Sequence, residues 1–286
     1  QIQAALSPTG GTERGKMKTA EELWQEVRQA SPMVHAVSNV VTANDCANLL
    51  LACGGSAIMA DEMEEAEEVT SLCGGLVLNL GTPNPRKVEA MLRAGREANR
   101  MGRPVVFDPV GVGCSAFRRE ASSRILEQVQ LSVIRGNASE IAALTGGETG
   151  RCGVDADASA ASAEESARLL AKKTGAVVVA SGATDLVTDG EALYCVHNGH
   201  PMMRTVTGTG CQLSALTGAY VAANPQNLLR AALAATCTMG LCGEIAQGRL
   251  QPEDGNAAYR DRIIDAVFHL TAEDLEKGAR YELYEG

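Results

Sequence analysis

Aromatic residues make up only 3% of the 286-residue chain, too few for a base-stacking platform or a ring-lined carbohydrate cleft. Positive charge is also short: 25 Lys and Arg face 35 Asp and Glu, for a net charge of -10. That balance argues against a sequence-independent grip on nucleic-acid phosphates or on an anionic membrane, so any anionic ligand must be held by local devices. The nine cysteines include no Cys-x-x-Cys pair and no His-x-x-x-His partner, which excludes a zinc ribbon. No apolar stretch is expected to reach the roughly 18 residues of a membrane span. The first 18 residues carry Pro, Gly and charge in place of an apolar run, so no secretory leader is expected there, and free thiols in a reducing, cytoplasmic compartment are the simplest reading.

What is present is enough apolar material for a sizeable core: 45% of residues are hydrophobic and the mean hydropathy is near zero, which excludes a disordered or fibrous chain. Thirty glycines exceed the roughly 7% of average usage, and extra glycine points to backbone that must approach something closely. The length suits one large α/β domain over 19–286, preceded by a flexible tail over 1–18. Within that tail, Gly10 to Lys16 satisfies most of a P-loop pattern, but Met17 stands where a Ser or Thr would hold magnesium and no apolar strand precedes it, so the match is discounted.

From residue 19 the chain alternates between helical periods and short β-rich runs. Strands are expected over Met33–Val37, Ser56–Met59, Gly75–Leu80, Pro104–Asp108, Leu131–Arg135 and Ala176–Ala180, with a late pair, Asp185–Thr188 and Ala192–Val196, joined through Asp189-Gly190, a strong hairpin signal. Helices are expected between them, Glu62–Ser71 and Ala138–Leu144 included, a polar stretch runs from Glu148 to Ser159, and the text from Thr209 to about Gln247 and from Asn256 to His269 reads as helix only. Runs such as Val105-Val-Phe and Ala176-Val-Val-Val-Ala are apolar on both faces, as in a parallel sheet covered by helices on both sides. The expectation is therefore a doubly wound α/β fold with a mostly parallel central sheet, a late antiparallel hairpin and a helical C-terminal third.

In such sheets ligands bind beyond the carboxyl ends of the strands, and here those ends are polar: Ser38-Asn39, Met59 to Glu62, Asn79 to Thr82, Asp108 to Gly113, Arg135 to Glu140 and Ser181-Gly182. Gly111-Val-Gly113-Cys-Ser-Ala116 formally fits a dinucleotide fingerprint, but it belongs to the fourth unit and Arg135, not an acid, follows about 20 residues on. Thr207-Gly-Thr-Gly-Cys211 is sharper. It leads into a helix from Cys211, whose free amides and dipole suit an anion, and the same field is expected to lower the Cys211 pKa, leaving a general base or a nucleophile as alternatives. Asn137 and Glu140 share a helical face; they read either as a capping box or, with Asp108, as oxygen ligands for magnesium, while Arg135 offers a permanent charge to phosphate. None of the four histidines has a spacing that would make Cys211 a hydrolase nucleophile, and His35 reads as a satisfied core residue.

Asn137-x-x-Glu140 followed by Gly208-Thr-Gly-Cys211 opening a helix resembles the ribokinase-like superfamily, whose members carry Asp where this chain has Cys211. Together with His35 to Asn44, Ala57-Ile-Met59, Leu78-Asn79-Leu-Gly81-Thr82, Phe107 to Gly113 and Ile134-Arg-Gly-Asn137, the pattern is similar to the hydroxyethylthiazole kinase family over residues 20 to 270. The resemblance implies a three-layer αβα ribokinase-like fold. It also implies ATP- and magnesium-dependent phosphorylation of the primary alcohol of 4-methyl-5-(2-hydroxyethyl)thiazole in thiamine salvage, by homotrimers with active sites shared between subunits.

By position it implies that Met59 and Gly208 contact the thiazole, with Asn39 and Asn44 nearby. Arg135 and Ser181 contact ATP; Thr209 and Gly210 complete the phosphate-binding turn; Cys211 replaces the superfamily's Asp base; and Asp108 and Glu140 manage the metal and phosphates. The N-terminal extension and Gly255-Asn-Ala-Ala-Tyr259, where many members have Gly-x-Gly-Ser-Phe, depart from the pattern. The alternatives are a ribokinase-like kinase for a hydroxymethylpyrimidine or a sugar alcohol, and a non-catalytic thiazole- or nucleotide-binding regulator.

Overall fold

The computed structural model describes residues 18–146 and 160–284; the tail before Lys18 with its P-loop-like match, the polar stretch expected over Glu148–Ser159 and Cys152 lie outside the described residues. Six strands, β1 (Met33–Val37), β2 (Ser56–Ile58), β3 (Gly75–Asn79), β4 (Val105–Asp108), β5 (Val133–Asn137) and β6 (Val177–Ser181), lie parallel in the order β2-β1-β3-β4-β5-β6. Antiparallel β7 (Asp185–Thr188) and β8 (Leu193–Val196) extend the same sheet through the expected Asp189-Gly190 turn.

Alternation along the parallel strands explains their unbroken apolar text. Leu76 and Leu78 face one core and Val77 the other; Val178 and Val179 divide in the same way. One core lies under α1 (Ala20–Ala30), α2 (Ala43–Ala52), α8 (Thr209–Ala223), α9 (Leu228–Gly248) and α10 (Asn256–His269). The opposite core is covered by α3 (Ala66–Leu72), α4 (Pro85–Arg100), α5 (Ala116–Gln128), α6 (Ala138–Leu144) and α7 (Ala160–Thr174). With helices on both faces the central parallel strands must be apolar on both sides, which gives the three-layer α/β fold anticipated above.

Several boundaries differ from the sequence reading. The C-terminal third is not all helix: α11 (Ala272–Gly278) leads to a ninth strand, β9 (Tyr281–Leu283), antiparallel to β8. Three residues, of which only Tyr281 packs against the core, carry no period strong enough to read. The helical text after Thr209 breaks at Asn224-Pro225, because proline cannot supply the amide a continuing helix needs. Helix α3 begins at Ala66 and not at Glu62, and β5 is shifted to Val133–Asn137. Contrary to expectation, α9 is long and apolar enough to cross a membrane, yet 72% of its apolar window is buried inside the protein, as befits a central core helix. His35 is fully buried with both ring nitrogens hydrogen-bonded.

Candidate active site

The parallel strands end in register. Asn79 on β3 is paired with Asp108 on β4, and Asn137 on β5 with Ser181 on β6, so their side chains converge at one edge of the sheet, and α8 starts there. Gly208 caps α8 with a left-handed φ of 87°. Gln212 N–H makes the first helical bond, to the Gly208 carbonyl at 2.9 Å, so the amides of Thr209, Gly210 and Cys211 precede the intrahelical ladder and point out of the helix start. The helix therefore begins two residues before the predicted Cys211.

Both glycines of the turn are required by close approach. A Cβ on Gly208 would overlap the Thr42 side chain, with the Thr42 Cβ only 3.0 Å away. A Cβ on Gly210 would lie 2.9 Å from the Arg135 Cζ and inside its guanidinium. Arg135 is thus pressed flat against the helix start, its Nη2 donating to Ser181 Oγ at 2.6 Å and its Nη1 3.8 Å from Asp108 Oδ2. A cation fixed beside three free amides is a built place for phosphate oxygens.

Behind it runs a buried polar chain. Asp108 Oδ2 accepts from Ser214 Oγ at 2.7 Å and Asn79 Nδ2 at 2.9 Å. Because the carboxylate can only accept, the Asn79 amide is oriented with its Oδ1 outward, accepting from Asn39 Nδ2 at 2.9 Å and from Gly81 N–H. Asn39 Nδ2 also reaches Thr42 Oγ1 at 2.8 Å and Cys211 Sγ at 3.4 Å. Burial pushes the Asp108 pKa up to about 6 against the pull of Arg135, with Glu140 adding to the rise.

The expectation of an acidified Cys211 is overturned. Burial, then the Asp108 charge, push the thiol above its ordinary value, outweighing hydrogen bonds from Thr42 and Asn79 and the charge of Arg135. Spacing revealed the helix start but could not reveal that the sulfur would be desolvated beside a carboxylate.

Asn137 and Glu140 form the capping box: Glu140 N–H donates to Asn137 Oδ1, and Asn137 N–H donates to Glu140 Oε2, both at 2.8 Å. Glu140 Oε1 accepts from Gly111 N–H at 2.8 Å, so the Gly111-x-Gly113 turn spends its amide on a protein carboxylate instead of a dinucleotide. For magnesium the donor set is sparse. Asp108 Oδ1 is buried without a partner, both Glu140 oxygens are engaged, and among the described residues no three His, Cys, Asp or Glu side chains gather as a cage. That fits an ion that keeps its waters and is held through one or two carboxylates and substrate phosphates.

Met59 is half-buried just beyond β2, against the α8 side of the sheet. Asn44 is not brought into the network: it is exposed on the first turn of α2, where Asn48 Nδ2 donates to its Oδ1. Thr42, Ser214 and Lys87 were not singled out from the sequence, although Ser214 lies one turn beyond Cys211 and that spacing alone places it on the same helical face.

A sequence model of the hydroxyethylthiazole kinase family matches residues 24–273. Hydroxyethylthiazole kinase of Clostridium acetobutylicum is 48% identical over 271 residues, covering 92% of this chain and 99% of that protein; the enzyme of Clostridium beijerinckii is 44% identical over 260 residues, covering 89% and 94%. The solved structure of the Pyrococcus horikoshii hydroxyethylthiazole kinase superposes with a TM-score of 0.83 at 34% identity, covering 93% of this chain and 99% of that one. Staphylococcus aureus pyridoxal kinase, at 15% identity and a TM-score of 0.59, shares the fold. The chain belongs to the hydroxyethylthiazole kinase family and is a phosphotransferase with ATP as co-substrate.

Proposed function

We propose that transfer occurs at the start of α8, with the γ-phosphoryl group of ATP held by the amides of Thr209, Gly210 and Cys211. What supports this reading is one juxtaposition: three free helix amides, the Arg135 guanidinium and the Cys211 thiol share the edge at which Asp108 is buried. The acceptor lies between Met59 and Gly208 with Asn39 beside it, and Asn44 is the outermost member of that set. Arg135 and Ser181 hold the nucleotide phosphates, and Asp108 and Glu140 are the carboxylates that would hold magnesium. When bound, the ion neutralises phosphate charge.

The acceptor hydroxyl oxygen forms the new bond to the γ-phosphorus, the bond from that phosphorus to the β–γ bridging oxygen breaks, and ADP leaves with the electron pair. The hydroxyl proton passes to Cys211 when that residue is a thiolate. Since its pKa is raised, the thiolate is a minor form at neutral pH, and Cys211 assists without being essential. Phosphoryl transfer tolerates this, because positioning and charge stabilisation supply most of the acceleration.

Residues 19–286 work as one kinase domain in the cytoplasm, where the eight described cysteines remain free thiols, and the enzyme assembles as a homotrimer with sites between subunits. ADP release measured with hydroxyethylthiazole, a hydroxymethylpyrimidine and a sugar alcohol tests the acceptor assignment. Thiazole is expected to give the largest kcat/KM; preference for either rival overturns the assignment.

A further inference from the structure

Two strand exits carry the residues assigned to the acceptor: Ser38-Asn39 after β1 and Met59 to Asp61 after β2. One atom joins them. Lys87 Nζ donates to the Ser38 carbonyl at 2.7 Å and lies 3.2 Å from Asp61 Oδ2, while its side chain is 3% exposed. Two general preferences are broken to put a lysine there. An ammonium is costly to bury, and Lys87 lies in the first turn of α4, whose backbone amide it offers to the N-cap Asn84, at the end of the helix dipole that disfavours a cation. Sites that break local rules while satisfying every partner are where position, not stability, is being specified.

The residue between Met59 and Asp61 is tied as well. His35 on β1 reaches the Ala60 carbonyl through Nε2 at 2.9 Å; a carbonyl only accepts, so Nε2 carries the hydrogen and the ring is oriented by it. The His35 Nδ1 faces Thr70 Oγ1 at 2.8 Å. Ala60 and Asp61 are thus fixed to β1 and α4, and Ser38 immediately precedes Asn39, whose amide touches the Cys211 sulfur.

We propose that Lys87 is a positioning residue that clamps the β1 exit to the β2 exit and so sets the width of the acceptor pocket. It contacts neither reacting group, and its effect falls on alcohol binding rather than on ATP binding or on transfer. The proposal rests on the acceptor site described above.

Lys87→Met and Asp61→Ala in the full chain test it, with KM for hydroxyethylthiazole, KM for ATP, kcat and Tm measured for each. Asp61 is half-exposed, so its replacement leaves folding intact and decides the matter should Lys87→Met fail to fold. Lys87→Met is expected to raise the thiazole KM about tenfold, the size of a lost charge-assisted hydrogen bond, and to leave the ATP KM and kcat within about threefold. Asp61→Ala is expected to raise the thiazole KM roughly twofold to threefold with a modest loss of Tm, because the buried Lys87 ammonium then keeps only the Ser38 carbonyl. An unchanged thiazole KM in folded variants, or thiazole and ATP KM rising together, overturns the clamp. The wild-type protein in the same assay reports separately on the acceptor site: absence of thiazole-dependent ADP release overturns that reading and the clamp with it, whereas wild-type turnover beside unchanged variants overturns the clamp alone.

Discussion

Gly208→Ala perturbs the site through two causes that can be separated. The φ of 87° lies where an L-residue costs roughly 1–2 kcal/mol. The added methyl must also displace the Thr42 side chain, whose Cβ would be 3.0 Å away, and overpacking of this kind costs about 1–3 kcal/mol. The sum is about 2–5 kcal/mol, a large part of the roughly 5–15 kcal/mol that keeps a domain folded. Thr42→Ser removes the methyl that overlaps and keeps the hydroxyl that accepts from Asn39. In a double-mutant cycle followed by denaturant unfolding, the serine should therefore recover about 1–3 kcal/mol of the Gly208→Ala loss and leave the backbone share. Activity should fall in Gly208→Ala because the amides of Thr209 and Gly210 are displaced with their cap. Unfolding free energies that add without coupling, or a Gly208→Ala protein as stable as wild type, would refute the packing argument.

Other substitutions act on single groups. Cys211→Ala is expected to lower kcat and leave thiazole affinity nearly unchanged. Because the thiol is pushed up, the Cys211-dependent part of kcat should rise with pH through neutrality and on to the alkaline side, and the alanine variant should lack that alkaline rise; superimposable profiles would remove Cys211 from proton transfer. Arg135→Ala should chiefly raise the ATP KM, and a rise confined to the thiazole KM would contradict its place beside the phosphates.

Asp108→Asn separates stability from function. A carboxyl raised from about 3.9 in the unfolded chain to about 6 when folded binds its proton more tightly in the folded state. Its contribution is therefore most favourable below pH 4 and is lost as pH rises toward 6, costing about 3 kcal/mol at pH 7. Without magnesium, the asparagine variant should be more stable than wild type at pH 7 by up to that amount, should lose the advantage below pH 4, and should be strongly impaired in phosphoryl transfer. Equal stability across that range, by thermal unfolding, would count against the buried charge.

The sequence was most informative where burial and chemistry follow from spacing. The parallel strands were legible because Val105-Val-Phe and Val177-Val-Val must face helices on both sides, and the start of α8 because the Gly208-Thr-Gly turn leads into it. Helix α3 begins late: Glu62 and Glu64 lie before it, paired with Arg86 at the surface, and the acidic text there did not distinguish a turn from a first helical turn. Strand β9 was missed because its partner, β8, supplies the order that its own three residues do not. The pKa of Cys211 and the burial of Lys87 are tertiary facts: each depends on which charges the fold brings near, Asp108 in one case and the Ser38 carbonyl and Asp61 in the other, and no local pattern encodes that proximity.

The central claim is tested most directly by mass spectrometry of the products after incubation with ATP, magnesium and hydroxyethylthiazole. The account predicts the phosphate monoester of the thiazole alcohol and ADP in equal amounts, with a diminished yield from Cys211→Ala. ADP formed without thiazole phosphate, or no product from folded wild-type protein, would contradict it.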